Sequence, residues 1–149
     1  MITRDQLSAM NDTMIERGPD DAGTEQWELP DGRVLGMAQR RLSILDLSML
    51  GHQPMSTPDG RVSLVYNGEI YNFREIRKEI SEYPFRSNCD TEVILAAYLK
   101  WGIRCVERFN GMFAFALYDR ESGELFLARD RMGQKPLYYW MDGENLVFG

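Results

Sequence analysis

Three short stretches of this chain carry side chains whose types and spacing could do chemistry. The first is Asn67-Gly68-Glu69, set between an apolar alternating run and a helix-cap residue, Asn72. The Asn67 carboxamide offers two N–H donors, and Gly68 lets a ligand approach a bare backbone N–H. That pair suits a developing oxyanion. An ordinary hairpin turn uses the same Asn-Gly dipeptide. The second is Arg40-Arg41, which opens the apolar segment Leu42-Ser43-Ile44-Leu45. A guanidinium fork matches a carboxylate bidentately, and a solvated strand end accounts for the arginines equally well. The third is Asp90, within Ser87-Asn88-Cys89-Asp90-Thr91-Glu92. It reads as a helix cap or as the acceptor for a ligand ammonium. His52 stands alone in the loop Gly51-His52-Gln53-Pro54-Met55 and reads as a hydrogen-bonded loop residue. Cys89 reads as a small packed side chain.

The elements that must position these groups follow from local pattern. Val62, Leu64 and Tyr66 alternate with Ser63, Val65 and Asn67, the period of a strand. The Asn67-Gly68-Glu69 triplet then reads as a turn, and Asn72 with Glu75 as a capping box for a helix bearing Phe73, Ile76 and Ile80. A further helix carries Ile94, Ala97, Tyr98 and Trp101. Upstream, Thr3 with Gln6 forms a capping box for a first helix whose apolar face is Leu7, Met10 and Met14; Gly18-Pro19 ends it. Pro30-Asp31-Gly32 joins strands at Trp27–Leu29 and Val34–Ala38, and Pro58-Asp59-Gly60 precedes the central strand. Strands at Met112–Tyr118 and Leu125–Arg129 form a hairpin, as do Leu137–Trp140 and Leu146–Phe148. Phe113, Phe115, Phe126, Tyr138 and Tyr139 are the expected aromatic core. Helix, hairpins, two helices, hairpins: this order predicts an α+β fold with antiparallel sheets.

Composition narrows the function classes. A chain of 149 residues holds one full core. A net charge of −6 with no basic run argues against nucleic acid. No stretch reaches the length of a membrane span, and no signal-peptide pattern opens the chain. The cysteines, Cys89 and Cys105, are too few for a disulfide framework and imply a reducing, cytoplasmic compartment. With a single histidine, the chain offers neither zinc-site spacing nor a Ser-His-Asp arrangement, so no metal is expected.

In order along the chain, Arg17-Gly-Pro-Asp-Asp21, Arg41-Leu-Ser-Ile44, Gly51-His-Gln-Pro54, Asn67-Gly-Glu-Ile-Tyr-Asn72, Asp90-Thr-Glu-Val93, Asn110-Gly-Met-Phe-Ala-Phe115, Ala128-Arg-Asp-Arg131 and Lys135-Pro-Leu-Tyr-Tyr139 appear. The series resembles the class II glutamine amidotransferase domain of the asparagine-synthetase family. The resemblance implies an N-terminal-nucleophile hydrolase fold, a four-layer αββα sandwich of antiparallel sheets, for a domain spanning 1–149. It implies hydrolysis of glutamine to glutamate and ammonia. It places Arg41 on the glutamine α-carboxylate, Asp90 on the α-ammonium with help from Glu69, and Asn67 with the Gly68 N–H at the oxyanion. Main-chain groups of Leu42, Ser43, Ile44 and Leu45 would line the pocket. No cofactor is implied for this domain. ATP and Mg belong to the C-terminal synthetase domain, the implied partner, which amidates a carboxylate.

The departures carry expectations of their own. Relatives open on a catalytic Cys and a first strand, whereas this sequence opens Met1-Ile2-Thr3 and goes straight to the helix. It stops at Phe148-Gly149, short of a synthetase domain. The sequence therefore reads as a domain cut at both ends, inactive by itself, with a sheet edge open to dimerisation or strand exchange. A nucleophile-less glutamine-binding or interaction module is the alternative.

Overall fold

The structure, a computed structural model, describes residues 2–41 and 51–149. Helix α1 (Arg4–Asp12) starts at the expected capping box: the Thr3 hydroxyl accepts the Gln6 N–H at 3.2 Å, and Gln6 Oε1 accepts the Thr3 N–H at 2.9 Å. Of its expected apolar face only Leu7 is buried, while Met10 and Met14 are 48% and 44% exposed. The helix stops well before Gly18. That glycine serves a close approach instead, since a Cβ there would lie 2.5 Å from the Arg40 carbonyl carbon.

Strands β1 (Asp21–Glu28) and β2 (Val34–Arg41) pair from Asp21↔Arg41 to Glu28↔Val34. They are longer at both outer ends than the hydrophobic pattern alone indicates. Gly32, with φ +80°, makes their turn. A four-stranded antiparallel sheet follows, in the order β3 (Met55–Ser56), β4 (Val62–Ile70), β5 (Gly111–Asp119), β6 (Glu124–Arg129). Helices α2 (Phe73–Glu79) and α3 (Asp90–Trp101), with a 3-10 helix over Gly102–Arg108, are inserted between β4 and β5. The chain closes on a hairpin of β7 (Tyr139–Met141) and β8 (Leu146–Phe148).

Alternation along β4 and β5 divides the molecule into layers. Leu64, Tyr66, Ile70, Phe113, Phe115 and Leu117 face α2 and α3, where they bury Ile76, Ile80, Ile94 and Leu95. Each such side chain contributes roughly 1.5–3 kcal/mol by leaving water. Val65, Ala116 and Tyr118 face the other way, against Met37 of β2, with Leu35, Leu127 and Phe148 packed around them. Helix α1 lies on the far side of β2: Leu7 Cδ2 would sit 3.0 Å from a Cβ on Gly36, and Asn11 Nδ2 donates to the Gln39 carbonyl. Helices, sheet, hairpin strands and helix stack in the four-layer αββα order.

Buried carboxylates hold the connections. Glu92 accepts the Ser87 N–H at 2.7 Å, the Ser87 hydroxyl at 2.6 Å and the Arg86 N–H, fixing the approach to α3. Asp130 accepts four backbone N–H groups, from Phe113, Met132, Gln134 and Lys135, at 3.0–3.1 Å. Those bonds, led by that of Lys135, hold its carboxyl down at about 2.

Three local expectations are corrected. Asn67 and Gly68 are not a turn; both lie inside β4, opposite Ala114 and Phe113. Asn72 does not cap α2 with its side chain. It bridges to the following segment instead, Oδ1 accepting the Asn110 N–H and Nδ2 donating to the Arg108 carbonyl. Tyr138 and Tyr139 are 74% and 70% exposed, because the β7–β8 hairpin leaves the side chains of its own strand uncovered.

Candidate functional site

A cleft of about 2020 Å³ lies between the β1–β2 and β7–β8 hairpins, over the face of the central sheet. Arg41, Asn67, Gly68, Glu69 and Asp90 all line it. These residues come from the end of β2, the second half of β4 and the start of α3. Leu42, Ser43, Ile44 and Leu45 lie outside the described residues.

Strand β4 makes the centre of this arrangement through its edge. Antiparallel pairing uses the N–H and C=O of alternate residues toward one neighbour and leaves the others pointing away. The Tyr66 N–H points away from β5 and donates to Gln53 Oε1 at 2.6 Å; the Tyr66 carbonyl accepts from Gln39 Nε2 at 3.1 Å. The Ile70 N–H also points outward and donates to Asp90 Oδ2 at 2.9 Å. Gly68 lies between them with the same polarity. Among the described residues no side chain takes its N–H. The open donor is therefore flanked by two satisfied ones. Glycine is required here by the neighbouring strand and not only by an approaching ligand, since a Cβ would lie 2.3 Å from the Met112 carbonyl oxygen.

Asn67 falls on the opposite face from Tyr66, the face of Val65, and projects into the cleft. Its side chain is exposed and has no hydrogen-bond partner among the described residues. Glu69 shares that face. Asp90 enters from the helical side. It stands at the first residue of α3, yet its carboxylate does not cap that helix, whose preceding residue is Cys89. Oδ2 accepts both the Ile70 N–H and the Tyr66 hydroxyl, the latter at 2.7 Å. Burial, the adjacent Asp90 charge and the hydrogen bond to it all push the Tyr66 phenol well above its ordinary value, so the hydroxyl stays a donor.

The two arginines that end β2 part ways, as successive strand residues must. Arg40 turns to α1, pairing with Asp12 and donating from Nε to the Asn11 carbonyl. Arg41 takes the cleft side, its guanidinium against Gly51, where a Cβ would come within 2.5 Å of Nη1 and Nη2. His52 is tied to Asp21 by Nδ1···Oδ2 at 2.8 Å. The two thiols differ in access: Cys89 lines the cleft, and Cys105 does not. Cys105 is fully buried and burial pushes it up to about 12, while Cys89 Sγ lies 2.9 Å from the Ser87 hydroxyl. No cluster of His, Cys, Asp and Glu among the described residues could hold a metal ion, and no described helix is long and apolar enough to cross a membrane.

Tyr66, Gln53 and Gln39 escaped the sequence reading. Each acts on a partner 13 to 27 residues away, so no local pattern marks its role; periodicity shows Tyr66 only as a strand residue. A glutamine held 6% exposed, as Gln53 is, becomes conspicuous only once burial is known.

Residues 2–149 match the family model described as a glutamine amidotransferase domain. Asparagine synthetase (glutamine-hydrolyzing) 3 of Bacillus subtilis is 40% identical over 96% of this chain, and asparagine synthetase (glutamine-hydrolyzing) 2 of the same organism is 42% identical over 95%. The chain spans 23% and 18% of those two proteins. Among solved structures, the glutamine phosphoribosylpyrophosphate amidotransferase of B. subtilis, complexed with ADP and GMP, superposes with a TM-score of 0.69. It is 18% identical, over 92% of this chain and 37% of that one, a likeness of fold alone.

Proposed function

The chain belongs to the glutamine amidotransferase domain family, and from that premise we propose that it is the glutamine-hydrolysing part of an asparagine-synthetase-like protein. One observation carries the reading. The Gly68 N–H and the Asn67 carboxamide, both without a partner among the described residues, share a cleft with a guanidinium, Arg41, and a carboxylate, Asp90. A free amino acid bearing a side-chain amide needs an anion partner, a cation partner and donors at the reacting carbonyl. The cleft supplies one of each.

In this reading Arg41 receives the α-carboxylate and Asp90 the α-ammonium, with Glu69 adding negative charge. The side-chain amide then lies against β4. When a thiolate adds to the amide carbon, its oxygen becomes an oxyanion, which the Gly68 N–H and Asn67 Nδ2 stabilise. The proton given up by the thiol is delivered to the amide nitrogen, ammonia leaves, and water releases glutamate from the resulting thioester and restores the thiol. In this reading the attacking thiol is neither of the two in this sequence, because Cys105 is buried and neither Cys89 nor Cys105 carries a free α-amine to manage the proton. It is an N-terminal Cys of the full-length protein. The ammonia passes to an ATP- and Mg-dependent synthetase domain of the same protein, which the length of the curated relatives supports.

Ammonia release from glutamine tests the proposal. The full-length protein is expected to release it, and the polypeptide Met1–Gly149 is not. Release by that polypeptide, surviving repurification, would show that the nucleophile lies within it. Binding of glutamine without turnover by the full-length protein would instead favour a glutamine-binding module.

A further inference from the structure

Beyond the residues that would touch glutamine, the bonding around Asp90 has a direction. Both of its described hydrogen bonds fall on one oxygen: Oδ2 accepts the Tyr66 hydroxyl at 2.7 Å and the Ile70 N–H at 2.9 Å. Oδ1 receives no donor from the described residues. A carboxylate carries roughly four acceptor sites. Two donors on one oxygen hold the group against rotation and leave the other oxygen's lone pairs for a cation. The two donors are unequal in origin. The Ile70 N–H is part of the β4 edge and belongs to any residue at that position. The phenol is particular to Tyr66.

Tyr66 is itself fixed at three points. Its N–H is held by Gln53, its carbonyl by Gln39, and its ring is packed in the core beneath α3 at 5% exposure. Core packing holds the ring against Asp90, and the two backbone bonds hold the strand that carries it. We propose that Tyr66 is a positioning residue for amino-acid recognition. Its hydroxyl occupies Asp90 Oδ2 and so presents Oδ1 to the α-ammonium of the substrate. This rests on the glutamine-site reading above and adds to it the source of selectivity for an α-amino group. Hydrogen bonds to charged groups are worth enough that loss of one changes affinity by roughly tenfold.

Tyr66→Phe removes the hydroxyl and keeps the ring, so the core stays filled. With the intact protein, KM for ammonia release is measured for glutamine, and the constant for inhibition of that release for its analogue lacking only the α-amino group, 4-carbamoylbutanoate. Tyr66→Phe is expected to weaken glutamine by roughly tenfold and to leave the analogue unchanged, because the analogue makes no use of Asp90. Asp90→Asn should show the same selectivity loss in larger measure. General damage to the fold would weaken both ligands together, so equal losses overturn the proposal. So does unaltered glutamine binding by Tyr66→Phe with Asp90→Asn still impaired; that result spares the glutamine site and removes only the role of Tyr66. If the unmodified protein itself fails to prefer glutamine over the analogue, the glutamine-site reading falls and the role of Tyr66 falls with it.

Discussion

Replacing Asn67 with alanine separates catalysis from stability more cleanly than any other change in this cleft. The Asn67 side chain is exposed on the open half of β4 and has no hydrogen-bond partner among the described residues. Its removal breaks no hydrogen bond among the described residues and leaves the Asn67–Ala114 pairing intact. The stability change should stay within about 0.5 kcal/mol, the range of surface substitutions. Turnover is another matter. Loss of one oxyanion donor costs about 2.7–4 kcal/mol of transition-state stabilisation, a fall in kcat of on the order of a hundred- to a thousandfold. The remaining donor, the Gly68 N–H, is backbone and cannot be strengthened in compensation. KM for glutamine should move little, because the bond tightens mainly as charge develops on the oxygen. The assay is ammonia release by the full-length protein, with kcat and KM resolved separately and a thermal melt run on the same preparation. A kcat within a fewfold of the unmodified protein refutes the oxyanion assignment. A large drop in Tm would refute the claim that Asn67 is structurally uncommitted.

Gly51→Ala brings a Cβ to within 2.5 Å of the Arg41 guanidinium, the far end of a flexible side chain. The protein should fold normally with the fork displaced, raising glutamine KM while kcat changes less; an unchanged KM would detach Arg41 from the α-carboxylate. Arg41→Lys should raise KM as well, since an ammonium lacks the planar fork. Asp130 has a carboxyl depressed to about 2 in the folded protein against an ordinary value of 3.8, so its contribution is complete above the ordinary value and is lost as pH falls through the folded one. Asp130→Ala leaves four backbone donors without their acceptor and should lower Tm at neutral pH by about 10 °C. That deficit should shrink as pH is taken below 3.8 toward 2; a deficit independent of pH across that window would show that the charge is not what holds the loop.

What the sequence determined by itself was local in cause. The Thr3–Gln6 box, the Gly32 and Gly60 turns, the strand pattern at Val62–Tyr66 and the apolar faces of α2 and α3 each depend on residues within a turn or two of one another. The ordered motifs likewise carried the family and its four-layer fold. Tertiary structure decided the rest. Asn67-Gly68 has turn chemistry, yet it is strand, because pairing with β5 along the whole of β4 outweighs a local preference. Met10, Met14, Tyr138 and Tyr139 are apolar enough for a core, but burial depends on what packs opposite, and the described layers leave them uncovered. Residue type pointed to the Gly68 N–H as the one a ligand could reach, but why it stays open is a tertiary matter. The opening follows from the alternation set by the β4–β5 register, from Gln53 reaching the Tyr66 N–H, and from Asp90 reaching the Ile70 N–H. A hydrogen bond across 13 or 20 residues leaves no period in a sequence; only the folded chain brings its two ends together.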